Sequence, residues 1–170
     1  MRKRLPDWFR TSLPTGAAQI RYNETKSNVH EHGLHTVCEE AECPNIGECW
    51  HHGTATFMIL GGVCTRACAY CNVEHGQPGP VDEAEPARVA AAVRTLDLDY
   101  AVITSVDRDD LVDGGASAFA ATITAIRTVS PACQIETLVP DFGGRDTSLA
   151  IVLSAGPDVL NHNIETVRRV

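Results

Sequence analysis

A chain of 170 residues with 44% hydrophobic content is long enough to bury one real core and too apolar for global disorder. Its formal net charge of -8 withholds the basic surface that nucleic acid or an anionic membrane would need, so neither is expected as a partner. Six of its seven cysteines fall in two tight triplets, a grouping that favours metal binding in a reducing compartment over disulfides.

The start Met1, Arg2, Lys3, Arg4 is basic, but Pro6, Asp7, Trp8 and Arg10 interrupt the apolar stretch that a signal peptide requires. No apolar run approaches the span of a bilayer, so a soluble, cytoplasmic protein is expected. Residues 1–53 hold turns, several histidines and the first cysteine triplet, with few strand-like runs, and read as an irregular or helical extension. The texture changes at Thr54, and residues 54–170 form a second region. Thr56 to Leu60 is a short apolar run ended by Gly61 and Gly62, a buried strand entering a loop that carries the second triplet.

Glu85 to Arg94 follows as a helix with Pro86 in its first turn, and Tyr100 to Thr104 as another buried strand. Ala116 to Val129 is helical, Gln134 to Val139 strand-like, Thr147 to Ser154 helical before Gly156 and Pro157, and Val159 to Asn163 a further strand. About four beta-alpha steps result, the last without its helix. Strands separated by helices imply an α/β fold with a parallel sheet and right-handed crossovers, its C-terminal strand ends gathering loops on one face. Four strands do not close a barrel; an open arc and the first part of a larger barrel both fit, and a partial (β/α) barrel is the expectation because the chain stops directly after a strand.

Cys64, Cys68 and Cys71 form a C-x3-C-x2-C group on a glycine-led loop. Structural zinc wants four protein ligands, and only His75 is near enough in sequence to complete it. A cubane cluster on three thiolates instead leaves one iron open for a small molecule, which is the preferred reading. The spacing, with Tyr70 just before the last cysteine and a strand before the loop, resembles the signature of the radical S-adenosylmethionine superfamily. The resemblance implies that the open iron chelates S-adenosylmethionine, that an electron cleaves its sulfonium to a 5'-deoxyadenosyl radical, and that Tyr70 lies near the adenine. Taken alone, Tyr70 reads equally as a loop aromatic.

Cys38, Cys43 and Cys49 form a C-x4-C-x5-C group, again without an obvious fourth ligand. A second cluster is preferred to a zinc knot completed by His30, His32, His35, His51 or His52. The run from His35 to Trp50 is similar to the lipoyl synthase family, as are Thr104 to Leu111 with Asp113-Gly114-Gly115, Pro140 to Phe142, Gly156 to Val159 and Asn161 to Val167, in the same order. That resemblance implies two 4Fe-4S clusters: the first triplet's donates sulfur and the second's makes the radical, so that two sulfurs enter at C6 and C8 of a protein-bound octanoyl group.

Implied partners are octanoylated lipoyl-carrier proteins (the glycine cleavage H protein and lipoyl domains of 2-oxoacid dehydrogenases), a ferredoxin or flavodoxin reductant, and iron-sulfur carrier proteins. The family takes a fourth auxiliary-cluster ligand from a serine in an Arg-Ser-Ser-Tyr segment near its C-terminus. This chain reaches Val170 without one, so a fragment of a longer enzyme, impaired on its own, is expected. Three other readings stay open: a non-catalytic iron-sulfur or electron carrier, a zinc-bound interaction domain, and biotin synthase chemistry, against which the first triplet argues.

Ser105, Asp107, Arg108 and Asp109 follow the second strand, where barrel loops meet substrate, and are candidates for polar groups of S-adenosylmethionine. Gly114 and Gly115 are expected to admit a ligand close to the backbone. Glu136, Asn161, Asn163 and Glu165 point to the same face if the barrel holds. His162 is expected to be a hydrogen-bonded core histidine facing the helices and Cys133 a buried apolar side chain, while Arg66 could pair with a carboxylate or stabilise a reduced cluster, its ordinary role being a solvent-facing loop cation.

Overall fold

The computed structural model describes residues 14–164. Glu165, the start from Met1 to Arg10 and the end of the Asn161 to Val167 motif lie outside the described residues. In chain order the elements are α1 (Ala17–Glu31), β1 (His35–Thr36), α2 (Val37–Glu40), α3 (Ile46–His51), β2 (Thr54–Ile59), β3 (Val63–Cys64), β4 (Glu74–His75), α4 (Glu85–Thr95), β5 (Tyr100–Ser105), α5 (Ala116–Val129), β6 (Gln134–Leu138), α6 (Asp146–Ser154) and β7 (Val159–Asn161).

The main sheet runs β1-β2-β5-β6-β7. β2, β5, β6 and β7 are parallel, while the two residues of β1 pair antiparallel with β2. On three of the parallel strands residues of alternating position drop out of solvent together: Ala55, Phe57 and Ile59 on β2, Ala101 and Ile103 on β5, and Ile135 and Thr137 on β6 are fully buried, whereas β7 is exposed along its length. Register places Ala55 beside Ala101 and Ala101 beside Ile135, so these residues form continuous rows across the sheet. Val89 and Val93 of α4, Phe119, Ile123 and Ile126 of α5, and Val152 of α6 complete the core at the three- and four-residue spacing of a helix stripe.

The mainly parallel α/β architecture agrees with a partial radical SAM (β/α) barrel, and four of the five main-sheet strands sit where the apolar runs put them. Val139, His162 and Asn163 fall just past strand ends, in the C-terminal loops. The extension is helical: α1 packs on α3, with the Tyr22 and Trp50 rings stacked at 5.2 Å. Among the described residues no helix is long and apolar enough to cross a membrane.

Candidate functional site

β1 decides where the first triplet lies. His35 pairs with Met58 and Thr36 with Phe57, so the chain entering α2 runs beside the C-terminal end of β2, the end from which the second triplet's loop departs. Thr36 caps α2 by accepting the Glu39 N–H at 3.3 Å. Cys38 is buried in α2, and the Cys43 N–H returns to the Cys38 carbonyl at 3.0 Å, while Cys49 sits one helical turn into α3. The three thiols are free and lie within reach of one another's charge. Burial pushes the Cys49 thiol up, and the neighbouring Cys38 and Cys43 add to the effect.

The second triplet occupies the loop after β2. Leu60, at φ +70°, turns the chain out of the strand, and β3 and β4 pair across the loop, Val63 with Glu74 and Cys64 with His75. The Cys71 N–H donates to the Cys68 carbonyl at 3.1 Å, and Gly76 N–H to the Cys64 carbonyl at 2.9 Å. Cys64 Sγ accepts from the backbone N–H groups of Arg66 at 3.4 Å and Asp107 at 3.3 Å, yet burial still raises its pKa. Cys68 and Cys71 are exposed. The two cysteine segments touch: Asn72 Nδ2, next to Cys71, donates to the carbonyl of Glu40 at 3.2 Å, between Cys38 and Cys43 in sequence.

A cavity of about 360 Å³ opens at the C-terminal ends of β5, β6 and β7. Its lining brings Cys68 and Tyr70 of the cysteine loop against Ser105, the last residue of β5, and Asp107, Asp141 and Asn163 from the loops after three strands. The Ser105 hydroxyl oxygen is buried there and has no hydrogen-bond partner among the described residues. Arg66 lies on the same wall, forked onto Asp109 with two bonds of 2.7 Å, bonded to Asp141 at 2.7 Å, and 3.4 Å from Asp107. These carboxylates hold the guanidinium firmly protonated, whereas burial raises the Asp107 carboxyl despite Arg66.

Of the remaining candidates, His162 borders this cavity and the others stand apart from it. Gly114 and Gly115 take positive φ of 64° and 92° and pack against Phe142 and Leu60, so close that a Cβ on Gly115 would stand 2.3 Å from Leu60 Cδ1. Glu136 accepts from the Tyr100 hydroxyl at 2.5 Å, which pushes the phenol up to about 12, and from Asn161 Nδ2 at 3.2 Å. Arg108 is 3% exposed and bonds within the protein, so it does not reach the cavity as the sequence suggested. His162 is an exposed residue on the cavity rim, its Nδ1 2.7 Å from the Val139 carbonyl, because the strand ends one residue before it. Cys133 is buried, as expected.

Arg66 does pair with carboxylates, one of the two roles the sequence left open for it, but its partners and its place on the cavity wall were not foreseen. The signal was there in its position two residues after Cys64, facing an aspartate-rich stretch at residues 107–110.

The donor chemistry fits iron-sulfur clusters. Each triplet offers three free thiols, which are soft ligands suited to iron-sulfur clusters, on one connected mouth. Among the described residues no three His, Cys, Asp or Glu side chains converge as a single metal ion would require. Because Cys49 and Cys64 hold their protons tightly, loading either group must release protons to the medium.

Residues 1–43 match the N-terminal domain of lipoyl synthase of the radical SAM family, and residues 58–170 match the radical SAM superfamily. The chain is 56% identical over 169 residues to a lipoyl synthase of Roseiflexus sp. (strain RS-1), covering 99% of this chain and 55% of that one. It is 57% identical over 166 residues to lipoyl synthases of Chromobacterium violaceum and Burkholderia pseudomallei, covering 97% of this chain and 52% and 50% of theirs. The chain therefore spans about half the length of the curated relatives it matches.

Proposed function

The chain belongs to the radical S-adenosylmethionine superfamily, and from that premise we propose that it carries the cluster-bearing part of a lipoyl synthase, which inserts two sulfur atoms at C6 and C8 of an octanoyl group held on a lipoyl-carrier protein. The observation that supports this most is the meeting of both cysteine triplets at one mouth, through the Asn72 bond to the Glu40 carbonyl. Carbons C6 and C8 bear no acidic proton, so the side chains of the mouth cannot activate them by acid-base catalysis. When bound, S-adenosylmethionine and the cluster beside it supply hydrogen abstraction, and the second cluster supplies sulfur.

This chain's own residues position these groups. Cys64, Cys68 and Cys71 hold the cluster beside the cavity, and Cys38, Cys43 and Cys49 hold the other. Tyr70, Ser105, Asp107 and Asn163 line the space for the cofactor, with the Ser105 hydroxyl available to a polar group of it. Leu138, Val139 and Pro140 form an apolar stretch of the cavity wall. Arg66 keeps the cysteine loop against the strand ends. Carrier partners are the glycine cleavage H protein and dehydrogenase lipoyl domains, with a ferredoxin or flavodoxin as reductant.

The test is anaerobic reconstitution with iron and sulfide, followed by titration with S-adenosylmethionine. The reading requires iron and sulfide in equal amounts and a cluster spectrum that changes on titration. An unchanged spectrum assigns the chain to the electron or cluster carriers, and zinc without iron or sulfide rejects clusters altogether.

A further inference from the structure

The loop bearing Cys64, Cys68 and Cys71 leaves β2 at Leu60 and passes Gly79 on its way to α4, and one side chain bonds the chain at both of these ends. Arg108 Nη1 donates to the Leu60 carbonyl at 3.3 Å, and Nη2 donates to the Gly79 carbonyl at 3.0 Å. The guanidinium is oriented by Asp110, which accepts from Nε at 2.9 Å and from Nη2 at 2.8 Å. With Arg108 only 3% exposed, water does not compete for these bonds.

The other side of Leu60 is gripped as well. Its N–H donates to Oε2 of Glu85, a carboxylate 8% exposed in the first turn of α4, at 2.7 Å. Leu60 thus has both peptide groups committed to buried charged side chains while it holds φ +70°. Further along, the Thr65 N–H donates to the Asp107 carbonyl at 3.0 Å, and Thr65 Oγ1 accepts from the Asp109 N–H at 3.1 Å. The segment from Asp107 to Asp110 therefore touches the loop at its start, its interior and its end. None of the residues at the two ends is a thiol, and Arg108 lines no part of the cavity.

We propose that Arg108 is the positioning residue that closes the cluster loop, tying Leu60 to Gly79 so that the three thiols are held in one arrangement before any cluster is loaded. This rests on the reading of that loop as a cluster ligand. Only a planar fork with donors on several nitrogens can serve two carbonyls and a carboxylate together; a lysine ammonium cannot span them.

The experiment compares the native chain with Arg108→Gln and Arg108→Lys, all in a Cys38→Ala, Cys43→Ala, Cys49→Ala background so that iron reports the second triplet alone. Amide hydrogen exchange is read on metal-free protein, then iron content and the spectral response to S-adenosylmethionine after anaerobic reconstitution. Closure by Arg108 predicts exchange in residues 61–78 roughly tenfold faster or more in Arg108→Gln, with α5 and β6 unchanged, the consequence of losing charge-assisted bonds to buried carbonyls. Iron content and the response to S-adenosylmethionine should fall with it, and Arg108→Lys should recover only part of either.

Native-like protection of residues 61–78 in Arg108→Gln overturns the proposal. Should that variant unfold throughout, Arg108→Lys decides: a loop as protected as in the native chain, with full iron content, overturns it equally. If the background chain itself takes up no iron, the cluster reading fails, while hydrogen exchange on the metal-free chain still supports or overturns the closure by itself.

Discussion

The Arg66 guanidinium and the Asp109 carboxylate meet edge to edge, Nε donating to Oδ2 and Nη2 to Oδ1, each at 2.7 Å. The residues are 43 positions apart, so this pair ties the cysteine loop to the segment after β5. Both side chains are partly open to solvent, which screens the pair. Arg66→Gln should therefore cost only about 1 kcal/mol of stability, measured by denaturant unfolding. The same substitution should weaken S-adenosylmethionine binding much more visibly, because the loop that carries Cys68 and Tyr70 then loses its ties to Asp109 and to Asp141 of the cavity wall.

Gly115 and Gly61 provide a matched comparison. Both take left-handed φ, 92° and 88°, but a Cβ on Gly115 strikes Leu60, whereas nothing lies within 4 Å of one on Gly61. Gly61→Ala should cost about 1 kcal/mol, for the backbone alone. Gly115→Ala should cost about 2 kcal/mol or more, since the Leu60 side chain is 4% exposed and has to repack within the core to clear the new methyl. Parallel unfolding curves check the difference, and equal losses would contradict it.

Trp50 is fully buried and stacks on Tyr22, joining α3 to α1. Trp50→Ala should cost about 3–5 kcal/mol and loosen the turn that carries Cys49. Iron bound by the first triplet should fall while iron bound by the second persists, which chemical analysis of reconstituted protein in triplet-deleted backgrounds can resolve.

Asp158 accepts the Ile135 N–H at 2.7 Å and also pairs with Arg127, and these bonds hold its carboxyl below the usual carboxylate range. A folded pKa lower than the unfolded one means that its contribution is complete above about pH 4 and is lost as the pH falls through the folded value. Asp158→Asn should flatten that acid limb and lower stability at neutral pH. Unfolding free energies measured between pH 3 and pH 7 would show it, and a limb of unchanged slope would not be compatible with this role.

In a version extended to the length of the relatives, alanine at Cys38, Cys43 or Cys49 should leave S-adenosylmethionine cleavage intact and abolish sulfur insertion. Deoxyadenosine and lipoyl product are measured separately; loss of cleavage with insertion retained would refute the division of labour.

The sheet was legible because apolar runs such as Phe57 to Ile59 and Ala101 to Ile103 are buried on the strands they form, and the cysteine groups were legible because their spacing is local. β1 was not legible, since two residues carry no periodicity and their pairing with Met58 and Phe57 is a tertiary choice. Arg108 reads as a cavity residue in the sequence because it follows the second strand, where barrel loops meet substrate, and only the fold reveals that Leu60 and Gly79 both turn carbonyls toward it. Arg66 is hidden for the same reason: its partners Asp109 and Asp141 are distant in sequence.

The seven thiols are unequally sheltered, with Cys68 and Cys71 exposed, Cys43, Cys49 and Cys64 half-covered, and Cys38 and Cys133 buried. Under alkylating reagent or air the metal-free protein should thus lose its ligands in an order written by the fold, beginning with the pair beside the cavity. Handling damage would strike Cys68 and Cys71 first, and a preparation in which Cys38, Cys43 and Cys49 are intact can still have lost the thiols beside the cavity.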